Sequence, residues 1–279
     1  MTRPAPSALL PWLSSLRCPH CAEPVELAER TLRCPQRHSF DLARAGYLPL
    51  LAGTSPTSGD DDDMARARDS FLATGAYAPL REAIVQIAPP HIRRILDIGC
   101  GTGYYLAGLL EHREDADGLG VDTSVRALRF AARAHERAAA ASWDVFTRFP
   151  LADGSTDLVL DVFAPRHPEE FARVLAPGGH LLVVRPAPDH LEQLRSAVPA
   201  MVGVDPRKEE RLHQVLDPLF TTVSTTAVRF APALDASTAR HLVAMTPSAR
   251  HVDERDLHAL LTGTSEVTVS VLVSLHRRR

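Results

Sequence analysis

The sequence predicts an α/β fold in which a doubly wound parallel sheet follows a small N-terminal metal-binding module. From residue 91 onward, short apolar segments alternate with helical segments, as in a parallel sheet covered on both faces. A glycine-rich turn at 99–103 connects one such strand to a helix, and three of the four cysteines lie close together before residue 35. We therefore expect a metal-binding module at 1–52, a linker with helices at 53–90 and an α/β domain at 91–279.

The composition is that of a globular chain. Of 279 residues, 45% are hydrophobic and 23% are charged, which provides enough apolar side chains for a sizeable core. No apolar run reaches the roughly 18 residues of a membrane span, and the first residues have too short a run for a signal peptide. We expect a cytoplasmic protein without membrane contact. The net charge of -3 does not favour nucleic-acid binding, yet residues 1–58 hold six arginines against four acidic residues.

The first element is a zinc-binding segment. Cys18 and Cys21 form a CxxC pair, and Cys34 and His38 follow after twelve intervening residues. Thiolate and imidazole are donors that Zn²⁺ prefers, and a CxxC pair brings both sulfurs onto one tight turn. Twelve residues suffice for a hairpin that returns the second pair. The alternative, small buried thiols or halves of disulfides, fits poorly with three cysteines in one short segment.

A polar stretch separates this segment from two helices. Residues 53–63 are rich in Ser, Thr, Pro, Gly and Asp and predict a flexible linker. The acidic run Asp60–Asp63 precedes apolar residues at helical spacing, so it can cap this helix and complement its positive end. Gly75 ends the helix, and Pro79 can open a second one.

The α/β domain comes next, with five short strands separated by three helices. We predict strands at Arg94–Ile98, Gly118–Asp122, Ala141–Val145, Leu158–Val162 and His180–Val184, and helices at 103–112, 124–139 and 168–175. Two segments rich in Val and Thr follow. Thr222–Phe230 predicts a strand, and the alternation within Glu266–Leu275 is typical of an edge or hairpin strand.

A loop with three glycines indicates a cofactor site. The chain runs from a strand through Gly99, Gly101, Thr102 and Gly103 into a helix, and glycine lets the backbone approach a ligand closely. The spacing GxGxG differs from the dinucleotide pattern GxGxxG. The carboxylate of Asp97 would repel a pyrophosphate, but it can accept hydrogen bonds from the ammonium of a methionine moiety. The loop therefore favours S-adenosylmethionine over NAD.

Two further acids lie at strand ends. Asp122 follows the glycines by about 20 residues, where an acid can accept both ribose hydroxyls of a nucleoside. Asp144 ends the third strand and can accept the adenine amino group, although a strand-end Asp is also a common turn former. A plain tight turn is the alternative for the glycine loop. The loop, Asp122 and the APGG turn at 176–179 together favour a cofactor site.

Several sequence blocks together resemble one known family. They are CPHC, CPQRHSFDLARAGYLPLL, MARARDSFLATGAYAPL, LDIGCGTGYY, VFAPRHPEEFARVLAPGGHLLVV, PDHL and AMTP. With these blocks the chain resembles, over nearly its whole length, the ribosomal large-subunit RNA methyltransferase A family, the guanine-N1 methyltransferases of 23S rRNA. The blocks VFAPR and ARHVDERDL are most similar to the branch linked to macrolide resistance, which modifies a guanine in a hairpin loop near the peptide exit tunnel.

The resemblance implies a fold, two cofactors and further site residues. It implies a Rossmann-like class I S-adenosylmethionine-dependent methyltransferase fold, with Zn²⁺ held by the four Cys and His residues named above. It also implies that Gly101, Thr102, Tyr77 and His190 line the S-adenosylmethionine site, and Tyr77 and His190 enter through the resemblance alone. The implied partner is 23S rRNA or a large-subunit precursor, bound by a homodimer whose zinc modules flank the RNA.

Methylation at guanine N1 requires the loss of a proton, so a group should remove it or hold the deprotonated base. Asp161 is the candidate general base, because it ends the fourth strand, where strand ends face the cofactor crevice. The alternative is that it only bonds loop amides. Arg166 and His167 in the same loop can contact RNA. Phe163 or Tyr104 can stack on the target base, and either can equally belong to the core.

The arginines beside the zinc ligands, Arg33, Arg37 and Arg44, are the expected RNA clamp. Two other functions stay open. A methyltransferase of a small molecule would suit the overall acidity, but it has no evident need for a basic zinc module. A non-catalytic module could use zinc and a nucleotide pocket to hold RNA or a protein, but the glycine loop and Asp122 are both intact.

Overall fold

The computed structural model describes residues 4–51, 60–198, 201, 208–246, 261–263 and 265–279. These residues form one 3-10 helix at Ser7–Trp12, together with the following strands and helices. The strands are β1 (Glu26–Ala28), β2 (Thr31–Arg33), β3 (Ser39–Asp41), β4 (Leu48–Pro49), β5 (Arg94–Ile98), β6 (Asp117–Asp122), β7 (Ala138–Ser142), β8 (Thr156–Val162), β9 (Leu175–Pro186), β10 (Phe220–Phe230), β11 (Ala233–Leu234), β12 (Ser265–Glu266) and β13 (Val269–Arg278). The helices are α1 (Asp62–Ala73), α2 (Ala78–Ile87), α3 (Tyr104–Glu111), α4 (Val125–Ala131), α5 (Pro168–Val174), α6 (Glu192–Ala197), α7 (Lys208–Leu216) and α8 (Ala236–Ala244).

An eight-stranded sheet forms the centre of the fold, in the order β10-β13-β9-β8-β5-β6-β7-β4. Strands β4 to β9 are parallel to one another, whereas β13 is antiparallel to both β9 and β10. The chain builds the sheet outward from β5 through β6 and β7, then returns to add β8 and β9 on the other side. This reversal opens a crevice at the carboxyl ends of β5 and β8, where ligands bind in open α/β sheets. The predicted doubly wound α/β architecture is confirmed.

One predicted helix and the strand after it are displaced. The helix predicted at 124–139 ends at Ala131, and the strand predicted at Ala141–Val145 lies at Ala138–Ser142. The strand begins with four alanines, and the high helix propensity of alanine favours the longer helix when the sequence is taken alone. All four are buried beside β6, so their place in the sheet overrides local propensity.

The C-terminal strand lies inside the sheet rather than at its edge. β13 pairs with β10 as a hairpin strand would, but it also pairs with β9 on its other side. Its alternating polar residues are buried in a hydrogen-bonded cluster. Arg185 Nη1 donates to Ser274 Oγ at 2.9 Å, and His276 Nε2 lies 2.8 Å from the same hydroxyl. Alternation therefore marks a buried polar network here, and β10 forms the edge.

The N-terminal module packs directly on the large sheet. Its own strands β1, β2 and β3 form a small antiparallel sheet, whereas β4 pairs with β7 and extends the large one. The backbone N–H groups of Leu50 and Leu51 donate to Ser142 Oγ at 3.1 and 3.3 Å. Trp12 is fully buried, and the guanidinium of Arg94 lies over its ring. The boundary at residue 52 stays a proposal, since the module and the α/β domain share one core.

The acidic run caps α1 as expected. Asp61 Oδ1 accepts hydrogen bonds from Asp63 N at 3.0 Å and from Met64 N at 2.9 Å, which satisfies two of the free N–H groups at the helix start. The part of the predicted flexible linker before Asp60 lies outside the described residues. Among those residues, no helix is long and apolar enough to cross a membrane.

Candidate functional site

The four predicted zinc ligands converge at one point. Cys18 Sγ and Cys34 Sγ lie 3.5 and 3.3 Å from His38 Nδ1, and Cys21 Sγ lies 3.7 Å from Cys34 Sγ. All four ligand atoms lie within 4.8 Å of one another. Zinc in a tetrahedral site binds sulfur at about 2.3 Å and nitrogen at about 2.0 Å, which separates its ligands by roughly 3.5 to 3.8 Å. The cluster therefore fits Zn²⁺.

Two tight turns bring these ligands together. Ala22 N donates to Cys18 O at 2.8 Å, and Arg37 N donates to Cys34 O at 2.9 Å. Ala22 and Arg37 have φ of 59° and 66°, a backbone region that residues other than glycine adopt at some cost. Each turn directs its pair of side chains toward the same point. The strain is consistent with a metal that over-determines the local geometry.

Three glycines hold the loop between β5 and α3 in a left-handed backbone. Gly99, Gly101 and Gly103 have φ of 61°, 54° and 82°, which glycine adopts without steric cost. A Cβ on Gly99 would lie 2.8 Å from the Cβ of Ala164, so a side chain there would collide with the loop after β8. Thr102 is buried in the same turn. The predicted cofactor loop therefore forms at the carboxyl end of β5.

Asp122 fixes this loop from the end of β6. Its Oδ2 accepts a hydrogen bond from Gly101 N at 2.9 Å, and its Oδ1 accepts one from Ser124 N at 2.7 Å. Burial raises the pKa of Asp122, while these two N–H donors act in the opposite direction. Each carboxylate oxygen retains a second lone pair. Asp122 can therefore accept the hydroxyls of a ribose while it holds the loop.

A cavity of about 880 Å³ opens at the carboxyl ends of β5, β6, β7 and β8. Six of the predicted site residues line it, namely Tyr77, Gly99, Gly101, Asp122, Asp144 and His190. The other four, Asp97, Thr102, Gly103 and Asp161, are buried and do not line it. The volume is near the upper end of the range of about 300–1,000 Å³ for ligand pockets. The cavity therefore has room for a planar group beside a nucleoside.

Asp97 is almost fully enclosed by the fold. It is 2% exposed at the end of β5. Burial raises the pKa of Asp97 well above its usual value, and the nearby charges of Asp122 and Asp161 add to this effect. Its contact with the ammonium of the cofactor stays a prediction.

Asp144 lies at the cavity and also forms a turn. It lines the cavity, and its Oδ1 accepts a hydrogen bond from Phe146 N at 3.0 Å, as a turn former does. The free lone pairs of the carboxylate leave it able to accept a further hydrogen bond. Its role toward adenine therefore stays a prediction that the geometry permits.

Tyr77 and His190 flank the cavity from two other segments. Tyr77 is 2% exposed and packs edge-on against Phe71, with ring centroids 4.9 Å apart. His190 Nδ1 accepts a hydrogen bond from Ser270 N at 3.3 Å, and its ring lies 5.8 Å from that of Phe163. Both residues line the cavity, and their contact with S-adenosylmethionine stays a prediction.

The positions of Phe163, Tyr104 and His167 show which of these side chains can contact a base. Phe163 lines the cavity, is 41% exposed and has a φ of 58°. Tyr104 is not part of the cavity wall, and the guanidinium of Arg81 lies 5.0 Å from its ring centre. His167 Nδ1 lies 3.1 Å from Val145 O, at the start of α5. Of these side chains, Phe163 is the one placed to stack on a base.

Asp161 and Arg166 form a buried ion pair at the end of β8. Arg166 Nη2 lies 3.5 Å from Asp161 Oδ1, and the two side chains are 17% and 0% exposed. Arg166 lines the cavity, whereas Asp161 does not. The predicted role of Asp161 as general base stays untested, and the geometry gives it no surface on the cavity.

One ion pair at the cavity is not predicted from the sequence. Arg68 of α1 donates from Nε to Asp60 Oδ2 at 2.6 Å and from Nη2 to Met245 O at 2.8 Å. Ser124 Oγ donates to the carbonyl of Asp60. These bonds close the chain before α1 over the cofactor loops. The blocks MARARDSFL and AMTP contain Arg68 and Met245, but nothing in their spacing indicates that the two meet.

Known proteins are similar to this chain over nearly its whole length. The profile described as "RlmA, N-terminal", a zinc ribbon, matches residues 16–54, and the profile described as "Methyltransferase domain" matches residues 95–179. The chain is 44% identical to a 23S rRNA (guanine(748)-N(1))-methyltransferase of Streptomyces fradiae, over 94% of this chain and 96% of that protein. A Micromonospora griseorubida protein assigned to the same guanine-N(1) activity is 41% identical over 96% of this chain and 98% of its own.

Solved structures show the same fold. A methyltransferase in complex with the Trm112 methyltransferase activator of Haloferax volcanii aligns with a TM-score of 0.53 at 18% identity, over 79% of this chain and 97% of that one. The predicted class I S-adenosylmethionine-dependent methyltransferase fold with an N-terminal zinc module is confirmed. The chain belongs to the family of 23S rRNA (guanine-N1)-methyltransferases.

Proposed function

We propose that the protein transfers the methyl group of S-adenosylmethionine to N1 of a guanine in 23S rRNA. The observation that carries this proposal is the cavity at the carboxyl ends of β5 and β8, which the glycine loop and Asp122 shape for a nucleoside and which has room for a base beside it. The zinc module packed on the same sheet supplies a second surface for a large substrate. A small-molecule enzyme would have no need of it.

The cavity residues divide the tasks of binding. Asp122 would accept the ribose hydroxyls, and Asp144 the adenine amino group, while the backbone of the glycine loop approaches the methionine moiety. Tyr77 and His190 would line the same pocket. The sulfonium supplies a reactive methyl group, so the residues mainly align the acceptor with it and exclude water. Phe163 would stack on the splayed guanine.

The zinc module is the proposed RNA clamp. Arg33, Arg37 and Arg44 are all exposed on it, where arginine can pair with phosphates. We propose as target a hairpin loop of 23S rRNA near the peptide exit tunnel, in the free RNA or in a large-subunit precursor, and hence a cytoplasmic location. Methylation there would confer macrolide resistance. A homodimer would place two such clamps beside one RNA.

Reverse-transcription stops on 23S rRNA test the proposal, because N1 methylation blocks base pairing. Ribosomal RNA from cells with and without the protein is compared, and a new stop at one guanine is the expected result. Tritium transfer to naked 23S rRNA and to a metabolite pool distinguishes an RNA methyltransferase from a methyltransferase of small molecules. Label in the metabolite fraction alone would establish a small-molecule enzyme, and no label in either would favour a non-catalytic module.

A further inference from the structure

Arg166 is a cavity arginine whose hydrogen-bonding capacity is only partly used. It lies in the loop between β8 and α5 and lines the cavity. Its Nη2 faces Asp161 at 3.5 Å, while its buried Nε makes no hydrogen bond within the part of the chain that the structure describes. Buried polar groups in proteins are nearly always hydrogen-bonded. A guanidinium with an unused N–H donor at a ligand cavity is therefore suited to bind a ligand that carries a hydrogen-bond acceptor.

Asp161 explains why this guanidinium stays at the cavity. It is fully buried at the end of β8 and does not line the cavity, so it cannot reach a substrate without a change in the fold. Its charge opposes that of Arg166, and separating a buried pair leaves an uncompensated charge at a high cost. Asp161 therefore acts on the cavity through Arg166.

Guanine presents a matching acceptor beside the methylated atom. N1 and O6 are neighbours on the same edge of the base, and O6 is a hydrogen-bond acceptor. When N1 loses its proton, the negative charge spreads onto O6. Donors aimed at an oxygen where charge develops accelerate a reaction more than donors that bind the ground state alone.

We propose that Arg166, oriented by the buried carboxylate of Asp161, donates hydrogen bonds to O6 of the target guanine and stabilises the negative charge that develops there. This inference rests on the proposed function. The N1–H bond breaks and its proton leaves to solvent. The N1 electron pair then forms the bond to the methyl carbon, while the electrons of the S–CH₃ bond remain on sulfur as a neutral thioether. One proton is released for each methyl group transferred.

The loop geometry supports this assignment. Phe163, three residues before Arg166, has a left-handed φ of 58° and a 41% exposed ring on the cavity. Strained backbone of this kind clusters at ligand clamps. Its N–H donates to Val184 O at 3.1 Å, which fixes the start of the loop on β9. The loop thus offers a stacking face and a guanidinium to the same base.

The other charged groups that line the described part of the cavity are Asp60, Arg68, Asp122, Asp144, Arg195 and Arg211, and His190 is the imidazole there. Asp60 and Arg68 neutralise each other, and Asp122 and Asp144 hold backbone N–H groups. Arg195 donates to Pro188 O at 2.6 Å. Arg195 is therefore a matched control, since it is an arginine of the same cavity with a partner of its own.

The first experiment measures single-turnover methylation of a 23S rRNA fragment from about pH 6 to about pH 10. Arg166→Met should lower the rate about 100- to 1,000-fold near neutral pH, and its rate should keep rising at high pH, where hydroxide removes the N1 proton unaided. Arg166→Lys should recover part of the rate. Arg195→Met should keep the wild-type pH profile. Binding of S-adenosylhomocysteine, measured by calorimetry, should be unchanged in all three variants, which also shows that they fold.

The second experiment tests the contact itself. RNA with 2-aminopurine at the target position lacks O6, and its affinity is measured with S-adenosylhomocysteine present, for wild type and Arg166→Met. The loss from the base change and the loss from Arg166→Met should not add, because both remove one contact. Additive losses would overturn the proposal.

Asp161→Asn separates the positioning role from that of a general base. If Asp161 orients Arg166, the variant should retain residual methylation that rises with pH, like Arg166→Met. Abolished methylation at every pH, together with an unchanged profile in Arg166→Met, would overturn the proposal and make Asp161 the base. If the wild-type protein does not methylate the RNA at all, the proposed function fails, whatever Arg166 does.

Discussion

The zinc centre and the cofactor cavity differ in how far apart their residues lie in the sequence. The zinc ligands fall between Cys18 and His38 and are joined by two short turns. The cavity is built from segments between Asp60 and Thr246, on four strand ends and several helices. A local site depends on its metal and a few backbone bonds, whereas a dispersed site depends on the whole sheet. A substitution at the zinc centre should therefore change different measured properties from a substitution at the cavity.

The largest effect is expected when the zinc centre is broken. Cys34→Ser removes a buried ligand, and structural zinc contributes most of the folding free energy of small zinc modules. We expect loss of zinc and a fall in RNA methylation of more than about 100-fold. Zinc content is measured by mass spectrometry and methylation by tritium transfer.

If the two sites are independent, the loss of zinc should not affect the cofactor cavity. Binding of S-adenosylhomocysteine to Cys34→Ser should remain at the wild-type level. His20→Ala is the control, because His20 lies beside His38 with ring centres 4.9 Å apart but is not part of the metal cluster. A loss of zinc that also abolished cofactor binding would show that the two sites do not behave independently.

The next largest effect is expected at the dispersed site. Asp122→Ala removes the acceptor of two backbone N–H groups as well as the predicted ribose contact. Since each hydrogen bond to a charged group contributes about 1.5–3 kcal/mol, the affinity for S-adenosylhomocysteine should fall at least about 100-fold. Calorimetry measures this affinity. Zinc content should not change, and the exposed Asp115→Ala should bind as wild type does.

A smaller effect is expected at the contact between the two regions. Ser142 Oγ accepts from Leu50 N and Leu51 N, so Ser142→Ala leaves two backbone donors without this acceptor. The free energy of unfolding in urea should fall by about 1–3 kcal/mol. Ser155→Ala removes a hydroxyl bonded within a surface turn and should cost less. An unchanged stability in Ser142→Ala would mean that the module contributes nothing to the sheet through this bond.

The smallest effect is expected in the pH dependence of stability that arises from the large sheet. Burial, and to a lesser extent the nearby charge of Arg185, lower the pKa of His276 to about 4. The folded state therefore stays neutral where the unfolded state takes up a proton, so stability is complete above about pH 6.5 and falls as pH drops toward 4. At pH 6 the loss of stability should be below about 1 kcal/mol, and it should grow as the pH approaches 4.

His276→Gln should remove this pH dependence from the free energy of unfolding. Acid also protonates the zinc thiolates and weakens metal binding, and the difference between variant and wild type isolates the part that belongs to the sheet. Parallel pH curves for the two proteins would contradict the assignment to His276.

The same contrast explains what the sequence could predict. The zinc ligands follow from spacing alone, because all four lie in one short segment between Cys18 and His38. The glycine loop and Asp122 could be predicted because they lie at the ends of strands, and the pattern of apolar residues shows where those strands end. The pair of Arg68 and Asp60 could not be predicted, since Met245, its third partner, comes into contact only through the tertiary fold. The burial of Asp161 behind the cavity is likewise set by the packing of β8 between β5 and β9.

The short strand β4 limits how this protein could be truncated. It covers the outer side of β7 at the end of the large sheet, and an uncovered strand edge invites pairing with other chains. A fragment that began after the first 52 residues would expose the row of alanines in β7 and the surface of β6 and β7 on which the helix Ser7–Trp12 packs. Such a fragment should aggregate, so the α/β domain is not expected to stay in solution once it is separated from its N-terminal module.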